Sequence, residues 1–374
     1  MMSDALSKGS AFPPLPLAGE GLGVRVERYR HGPDLQSQRA LTPGPSPAAR
    51  ERGGLPRRLA VITGLFVYVV ALRAAAEPVP HALGLTEAKW VAPDTDLVEF
   101  LSETPGECLK APASADDRYV VEAGRAAFRS PLLFGGPAAR AGLSCNSCHR
   151  DGRGNPDFFL AGVSDGPGTA DVTSSLMSKV REDGIANPVA IPTLVGAGSK
   201  SSFGTMAPQP TLEAFIHGAV EDEFQGAPPA SIVKAIAAYV AHLDAGACPE
   251  EAAPQTVRAA MADVDRALGA AEGALARDDG AAADFLLLAA QNALSPIHER
   301  YSDLRLWRER DGLEQLARDI GAIRPLLKAA PWEVSRRLAA TRAAAGELAT
   351  RLHKMRRRSL YDLKVLRRAV EEGG

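Results

Sequence analysis

The chain has 374 residues, and its 43 Lys and Arg stand against 45 Asp and Glu for a formal net charge of −2. Such a balance implies neither a nucleic-acid partner nor a strongly charged substrate. The four cysteines comprise one close pair, Cys145 and Cys148, and two singletons, Cys108 and Cys248; a structural zinc site ordinarily draws on two close pairs.

Residues 1–56 carry no helical or strand periodicity and are rich in Pro, Gly and Arg, as a disordered tract is. They also resemble the translation of repeated intergenic elements in GC-rich bacterial genomes, which puts the expected start near Leu55, with a disordered extension as the alternative. The stretch RRLAVITGLFVYVVALRAAA, residues 57–76, reads as a signal peptide. Arg57 and Arg58 form its positive end, Leu59 to Leu72 its apolar run, and Ala74-Ala75-Ala76 the small-residue site before Glu77. The run is shorter than the roughly 20 residues that span a bilayer comfortably; an uncleaved membrane anchor is the alternative. The expected location is the periplasm.

The rest of the chain is long enough for two domains, and its charge divides accordingly. Residues 77–250 hold 12 Lys and Arg against 22 Asp and Glu, whereas residues 251–374 hold 21 against 18. The expected organisation is an extended segment over 77–113, a first domain over 114–248 and a helical bundle over 255–374.

In the first domain, Ser114 with Asp117 three residues on has the form of a capping box, with Asp in place of the usual Glu. Val120, Gly124 and Phe128 then fall at i, i+4 and i+8 on one helix face. The stretch GLSCNSCHRDG, residues 142–152, sets His149 directly after the second cysteine of the close pair. A thioredoxin-like redox pair would need a βαβ context. The spacing fits covalent haem attachment instead. Each thiol adds to one vinyl group of the porphyrin, the vinyl carbons lie about one helical turn apart, and the adjacent histidine coordinates iron. Cys145 and Cys148 are then the thioether sites of one haem c, and His149 is an axial ligand.

Near the end of this domain, Pro229 suits a first helical turn, and Ile232, Ile236, Tyr239 and Leu243 make an apolar stripe. In class I cytochromes c the first and last helices cross near the haem, with a glycine permitting close approach and aromatics filling the crossing. Gly124, Phe128 and Tyr239 have those types in that order. The expected fold is all-α, a class I cytochrome c-like haem domain followed by an α-helical bundle; ordinary core residues of another helical domain are the alternative.

The segment GRAAFRSPLLFGGPAARAGLSCNSCHRDGRG, Gly124 to Gly154, resembles one haem domain of the bacterial di-haem cytochrome c peroxidase and MauG family. NPVAIPTLVGAGSKSSFGTMAPQPTLEAFI, Asn187 to Ile216, is similar to that family's Thr-Pro-Ser-Leu segment and the following Thr-Leu-Glu helix start. Less than half of the chain is covered. That family carries two Cys-x-x-Cys-His motifs and this chain has one. A two-haem peroxidase keeps its second electron on the second haem, so the resemblance extends to the haem site more readily than to peroxidase activity.

Function then turns on the second axial ligand. Methionine would close the iron and raise its potential; an open position would admit ligand chemistry. Met206 lies in a Gly-, Pro- and Ser-rich loop 57 residues after His149, the order of a class I cytochrome. Met177 and His217 are the other choices. Met177 follows the motif closely for such a loop, and His217 lies about 140° round its helix from Leu212, toward solvent.

Cys108 and Cys248 flank the haem domain, and in an oxidising compartment a disulfide would clasp its two ends. Beyond it, Val257, Met261, Val264, Leu268 and Leu275 recur near a 3.5-residue period. Val334, Leu338, Thr341, Ala345, Leu348, Leu352 and Met355 alternate steps of four and three. This is the pattern of a four- or five-helix up-and-down bundle, punctuated at Asp278-Asp279-Gly280 and Pro331. The basic run at 353–368 is either a solvated helix face or a surface for anionic membranes. Residues 280–320 faintly resemble the extracytoplasmic helical region of iron-permease proteins, which would make His298, Glu299 and Asp303 iron contacts.

The sequence therefore reads as a periplasmic monohaem electron-transfer cytochrome c, an electron carrier more than an enzyme, whose bundle docks a redox protein partner, with a membrane permease or oxidase as further choices. The alternatives are a peroxidase-like haem enzyme with an open coordination site, or a redox component of iron uptake.

Overall fold

The computed structural model describes residues 84–373 apart from 175 and 205–207. The leader, the signal segment and Met206 lie outside the described residues. What is described is mostly helical.

The part of 77–113 that is described departs from the extended form expected of it. A 3-10 turn at Thr86–Trp90 precedes helix α1 (Leu97–Ser102). The helix starts because the Asp96 carboxylate accepts from the backbone N–H groups of Val98 and Glu99, satisfying donors that a first turn otherwise leaves unpaired. The two-residue strand β1 (Glu103–Thr104) follows.

Helix α2 (Ala115–Phe128) begins where the Ser114 hydroxyl accepts the Asp117 N–H at 3.0 Å. Val121, Gly124 and Phe128 are buried on it, with Val120 at the edge of that face. Helix α3 (Gly136–Ala141) and the single turn α4 (Cys145–Cys148) come next. Strands β2 (Thr169–Ala170) and β3 (Val189–Ala190) pair antiparallel at the base of a long loop. Helices α5 (Leu212–Gly218) and α6 (Ala230–Ala241) complete this region. Ile232, Ile236 and Tyr239 are buried on α6, and Leu243 is buried just past its end.

Helices α2 and α6 meet backbone to backbone. A Cβ on Gly124 would lie 1.9 Å from the Ala235 carbonyl oxygen, so glycine is required at this contact. Beside it the rings of Phe128 and Tyr239 stand 5.1 Å apart at 57°, a tilted pairing that aromatic quadrupoles favour.

Strand β4 (Ala253–Pro254) returns to pair with β1. Close by, Cys108 and Cys248 form a disulfide across 140 residues. The Lys110 N–H donates to His242 and the Asp244 N–H to Cys108, at 2.9 and 2.8 Å. The two ends of the region are thus clasped, as the compartment argument expected.

The bundle consists of α7 (Val257–Leu275), α8 (Gly280–Arg300), α9 (Trp307–Ile323), the short α10 (Leu326–Ala329) and α11 (Pro331–Met355). Thr256 and Asp279 cap α7 and α8 through their side chains. The four long helices pack in a closed ring, α7 on α8, α8 on α9, α9 on α11 and α11 on α7. The heptad positions Val334, Leu338, Thr341, Ala345, Leu348 and Leu352 are buried on α11.

Two domains were expected, but one continuous buried cluster runs from Val121 through Tyr239 and Leu268 to Leu352. Helix α2 lies against α7 and α8, and Arg125 on α2 pairs with Asp263 on α7. The terminal helix α12 (Leu363–Gly373) packs on α1 around Leu85, Leu101, Leu360 and Leu366. Among the described residues no helix is long and apolar enough to cross a membrane.

Candidate functional site

The single turn of α4 sets the geometry. The Ser144 N–H donates to the Ser147 hydroxyl at 3.1 Å, and the His149 N–H donates to the Cys145 carbonyl at 2.8 Å. One helical turn places residues i and i+3 on the same side. Cys145 and Cys148 accordingly face one cavity, with His149 beside them. Both thiols are free, and burial pushes each up to about 12, so they stay protonated at neutral pH.

The chain turns sharply after the histidine. Asp151 and Gly152 both adopt positive φ, 52° and 78°. A Cβ on Gly152 would lie 2.4 Å from the Leu243 side chain. The Asp151 N–H is held by the Asn146 side-chain oxygen at 3.0 Å, and the Asn155 amide donates to the Ser147 carbonyl at 2.8 Å. The Asp151 carboxylate binds Arg129 at 2.7 Å and also takes the Thr104 hydroxyl. Arg129 and Arg125 share Glu107, which the Tyr239 hydroxyl also reaches, at 2.7 Å. Burial pushes the Glu107 carboxyl up, but the two guanidinium groups outweigh it and hold it at about 2.

The segment Pro192–Leu194 runs alongside the motif. The Leu194 N–H donates to the Gly152 carbonyl at 2.9 Å, and His149 Nδ1 lies 3.0 Å from the Pro192 carbonyl oxygen. A carbonyl can only accept, so Nδ1 carries the proton and Nε2 keeps its lone pair. Burial pulls the His149 imidazole down to about 4, against the Pro192 bond. The ring is therefore neutral at neutral pH, which is the form that binds a metal.

The cavity opens to solvent, and counting that opening its atom-free space is about 900 Å³. Its wall is apolar, with Phe128, Phe134, Phe158, Phe215 and Phe224 in it. Phe134 and Phe224 stack at 4.3 Å. Among the described residues, and beyond the Cys-x-x-Cys-His motif and the adjoining Ser144, the one side chain in this wall with a heteroatom is Met177, which is 4% exposed.

The donor set fits a covalently attached haem. Two thiols on one turn, an imidazole with its far nitrogen committed and a large apolar hollow are what the group requires. A redox pair in a βαβ unit does not fit, because the described strands are two-residue pieces. Among the described residues no group of three or more His, Cys, Asp or Glu is arranged to hold a metal ion.

The other sequence-derived choices are dispersed. His217 is exposed and binds Glu221 at 3.2 Å, outside the cavity. His298 bonds Glu314 at 3.1 Å, Glu299 takes the Thr86 N–H and hydroxyl, and Asp303 holds Arg305. These three side chains do not converge on one point. Sequence reasoning missed the role of the Pro192 carbonyl; its only trace was the Ile-Pro-Thr-Leu stretch within the resemblance. No family model, curated protein or solved structure matches the chain.

Proposed function

We propose that the chain carries one haem c on Cys145 and Cys148, with His149 as an axial ligand, and serves as an exported, periplasmic electron-transfer cytochrome. The observation that carries this reading is the meeting of two free thiols and an imidazole, its Nδ1 committed to Pro192, at the wall of one apolar cavity. The bound group supplies a one-electron ferric/ferrous couple. The protein's own residues do the rest. The thiols anchor, and the Pro192 carbonyl fixes the ring orientation and tautomer of His149. The phenylalanine wall excludes water, which favours the less charged iron state and raises the potential. The class I cytochrome fold is part of this reading, supported by the Gly124–Ala235 crossing and the Phe128–Tyr239 pair. The Cys108–Cys248 disulfide supports an oxidising compartment.

A carrier is favoured over a peroxidase because, among the described residues, the wall beyond the motif offers no histidine or carboxylate to move a proton during peroxide cleavage. The helical bundle is the part left to dock a redox protein partner, and a membrane permease or oxidase is a partner of the same kind.

The test is to express the chain with export and haem-attachment machinery and extract the denatured product with acidified acetone. Colour retained on the protein, lost in the Cys145→Ser/Cys148→Ser double variant, supports the reading. A colourless or fully extractable product overturns it.

A further inference from the structure

Resting on the haem reading, we infer that Met177, on a loop strapped down by Arg181, would supply the second donor to the iron, a thioether opposite in type to the His149 imidazole, in place of the loop methionine Met206 that sequence order favours. Met177 follows His149 by only 28 residues, which in a sequence reads as too near. The structure removes that objection. The loop between β2 and β3 is folded back on itself: the Asp171 carboxylate holds the N–H of Thr173 at 3.0 Å and that of Asn187 at 3.3 Å. Both ends of the loop are thus fixed to one buried side chain.

Within it, Met177 is buried in the same wall as His149 and both thiols. Leu176 just before it is 44% exposed and Val180, three residues on, 68%, while Ser178 beside it is buried. An apolar neighbour is left outside while the methionine is turned in. Five contacts hold that arrangement. The Ser178 hydroxyl donates to the Asp222 carbonyl at 3.3 Å and accepts the Arg181 N–H at 2.9 Å. The Arg181 guanidinium binds Glu223 at 2.5 Å and Asp222 at 3.1 Å. The Gln225 amide donates to the Met177 carbonyl at 3.3 Å.

Gln225 does this from a left-handed backbone, φ 56°, which a residue with a side chain adopts only when its surroundings impose it. They do: its carbonyl lies where a Cβ on Gly135 would come within 1.9 Å, and the Gly135 N–H holds the Phe224 carbonyl at 2.8 Å. The segment that receives the strap also contributes Ala219, Val220 and Phe224 to the cavity wall. Strap, methionine and wall are one packed unit. A neutral, soft thioether placed there favours ferrous iron, and Arg181 is a positioning residue for it.

The test uses the haem-loaded full chain and reads the far-red ferric absorption band of a thioether–iron bond, together with carbon monoxide binding to the reduced protein. Wild type and Met206→Ala are expected to show the band and to exclude carbon monoxide. Met177→Ala is expected to lose the band and bind carbon monoxide; Arg181→Ala is expected to weaken the band and bind in part. If Met177→Ala fails to mature, Met177→His keeps a donor and is expected to exchange the band for a bis-imidazole spectrum. A band that survives Met177→Ala, or is lost only in Met206→Ala, overturns the assignment while leaving the haem reading standing. Coloured wild type without the band overturns it too, and a colourless wild type sinks the haem reading itself.

Discussion

The Nδ1–H of His149 donates to the carbonyl oxygen of Pro192, 3.0 Å away and 43 residues along the chain. This bond joins the Cys-x-x-Cys-His motif to the distant segment that runs alongside it. Proline brings no N–H to this position, and its carbonyl leaves His149 one tautomer. The bond also fixes which way the ring faces and leaves Nε2 as the nitrogen that would bind iron in the proposed reading.

The two thiols are expected to be unequal in effect only by degree. Cys145→Ser and Cys148→Ser single variants should each keep at most one covalent link, and the double variant none. Mass spectrometry of the intact denatured protein should show the haem increment in wild type and no increment in the double variant.

Gly124→Ala should be among the most damaging single-methyl changes available. Its Cβ would lie 1.9 Å from a backbone oxygen of α6, so a whole helix must move, and the loss should reach or exceed the roughly 1–3 kcal/mol typical of overpacking. Gly346→Ala is the control. It lies inside α11 with nothing within 4 Å of the added carbon, and should stabilise by about 0.5–1 kcal/mol through helix propensity. Denaturant unfolding of both variants measures the contrast.

Acid should weaken the fold through Glu107. Its carboxyl stands at about 2 in the folded protein against 4.5 ordinarily. Between those values the unfolded chain binds the proton and the folded one does not, so stability falls as pH falls. The contribution present above pH 4.5 is on the order of 3 kcal/mol. Glu107→Gln should be less stable at neutral pH, since it leaves Arg125 and Arg129 short of a charge partner, and its stability should vary less between pH 4.5 and 2. Equal slopes for the two proteins over that window would contradict the assignment.

Opening the Cys108–Cys248 disulfide, which closes a loop of 140 residues in sequence separation, should cost about 5 kcal/mol in the chain-entropy account. Cys108→Ser/Cys248→Ser should lower the denaturant midpoint accordingly. The Lys110 and Asp244 backbone bonds that flank the disulfide should keep the native contacts in place once folded, so the visible spectrum of the loaded protein should not change.

The patterned parts were legible before the fold was known. The heptad of α11 named its buried residues from Val334 to Leu352, with only Met355 at its end left partly buried, because a helix in a bundle must repeat apolar side chains at the period of its contacts. Gly124 was legible as a crossing point, and the Cys108–Cys248 pairing followed from compartment and position. The shared core was hidden by the charge split between the two regions. Charge composition reports the surface, and the surface does not record that α2 lies on α7 and α8.

What the sequence determined by itself was therefore the chemistry on offer: two thiols and an imidazole on one turn, helices at definable places, and an export-compatible cysteine pair. Tertiary structure alone decided which distant groups stand beside that motif. The Pro192 carbonyl resembles every other carbonyl in a sequence, and Met177 enters the same cavity wall as His149 only because Asp171 and Arg181 fold its loop back. Spacing governs local geometry, where bond lengths fix the outcome; a meeting across 28 or 43 residues is fixed by packing, which no single stretch of chain encodes.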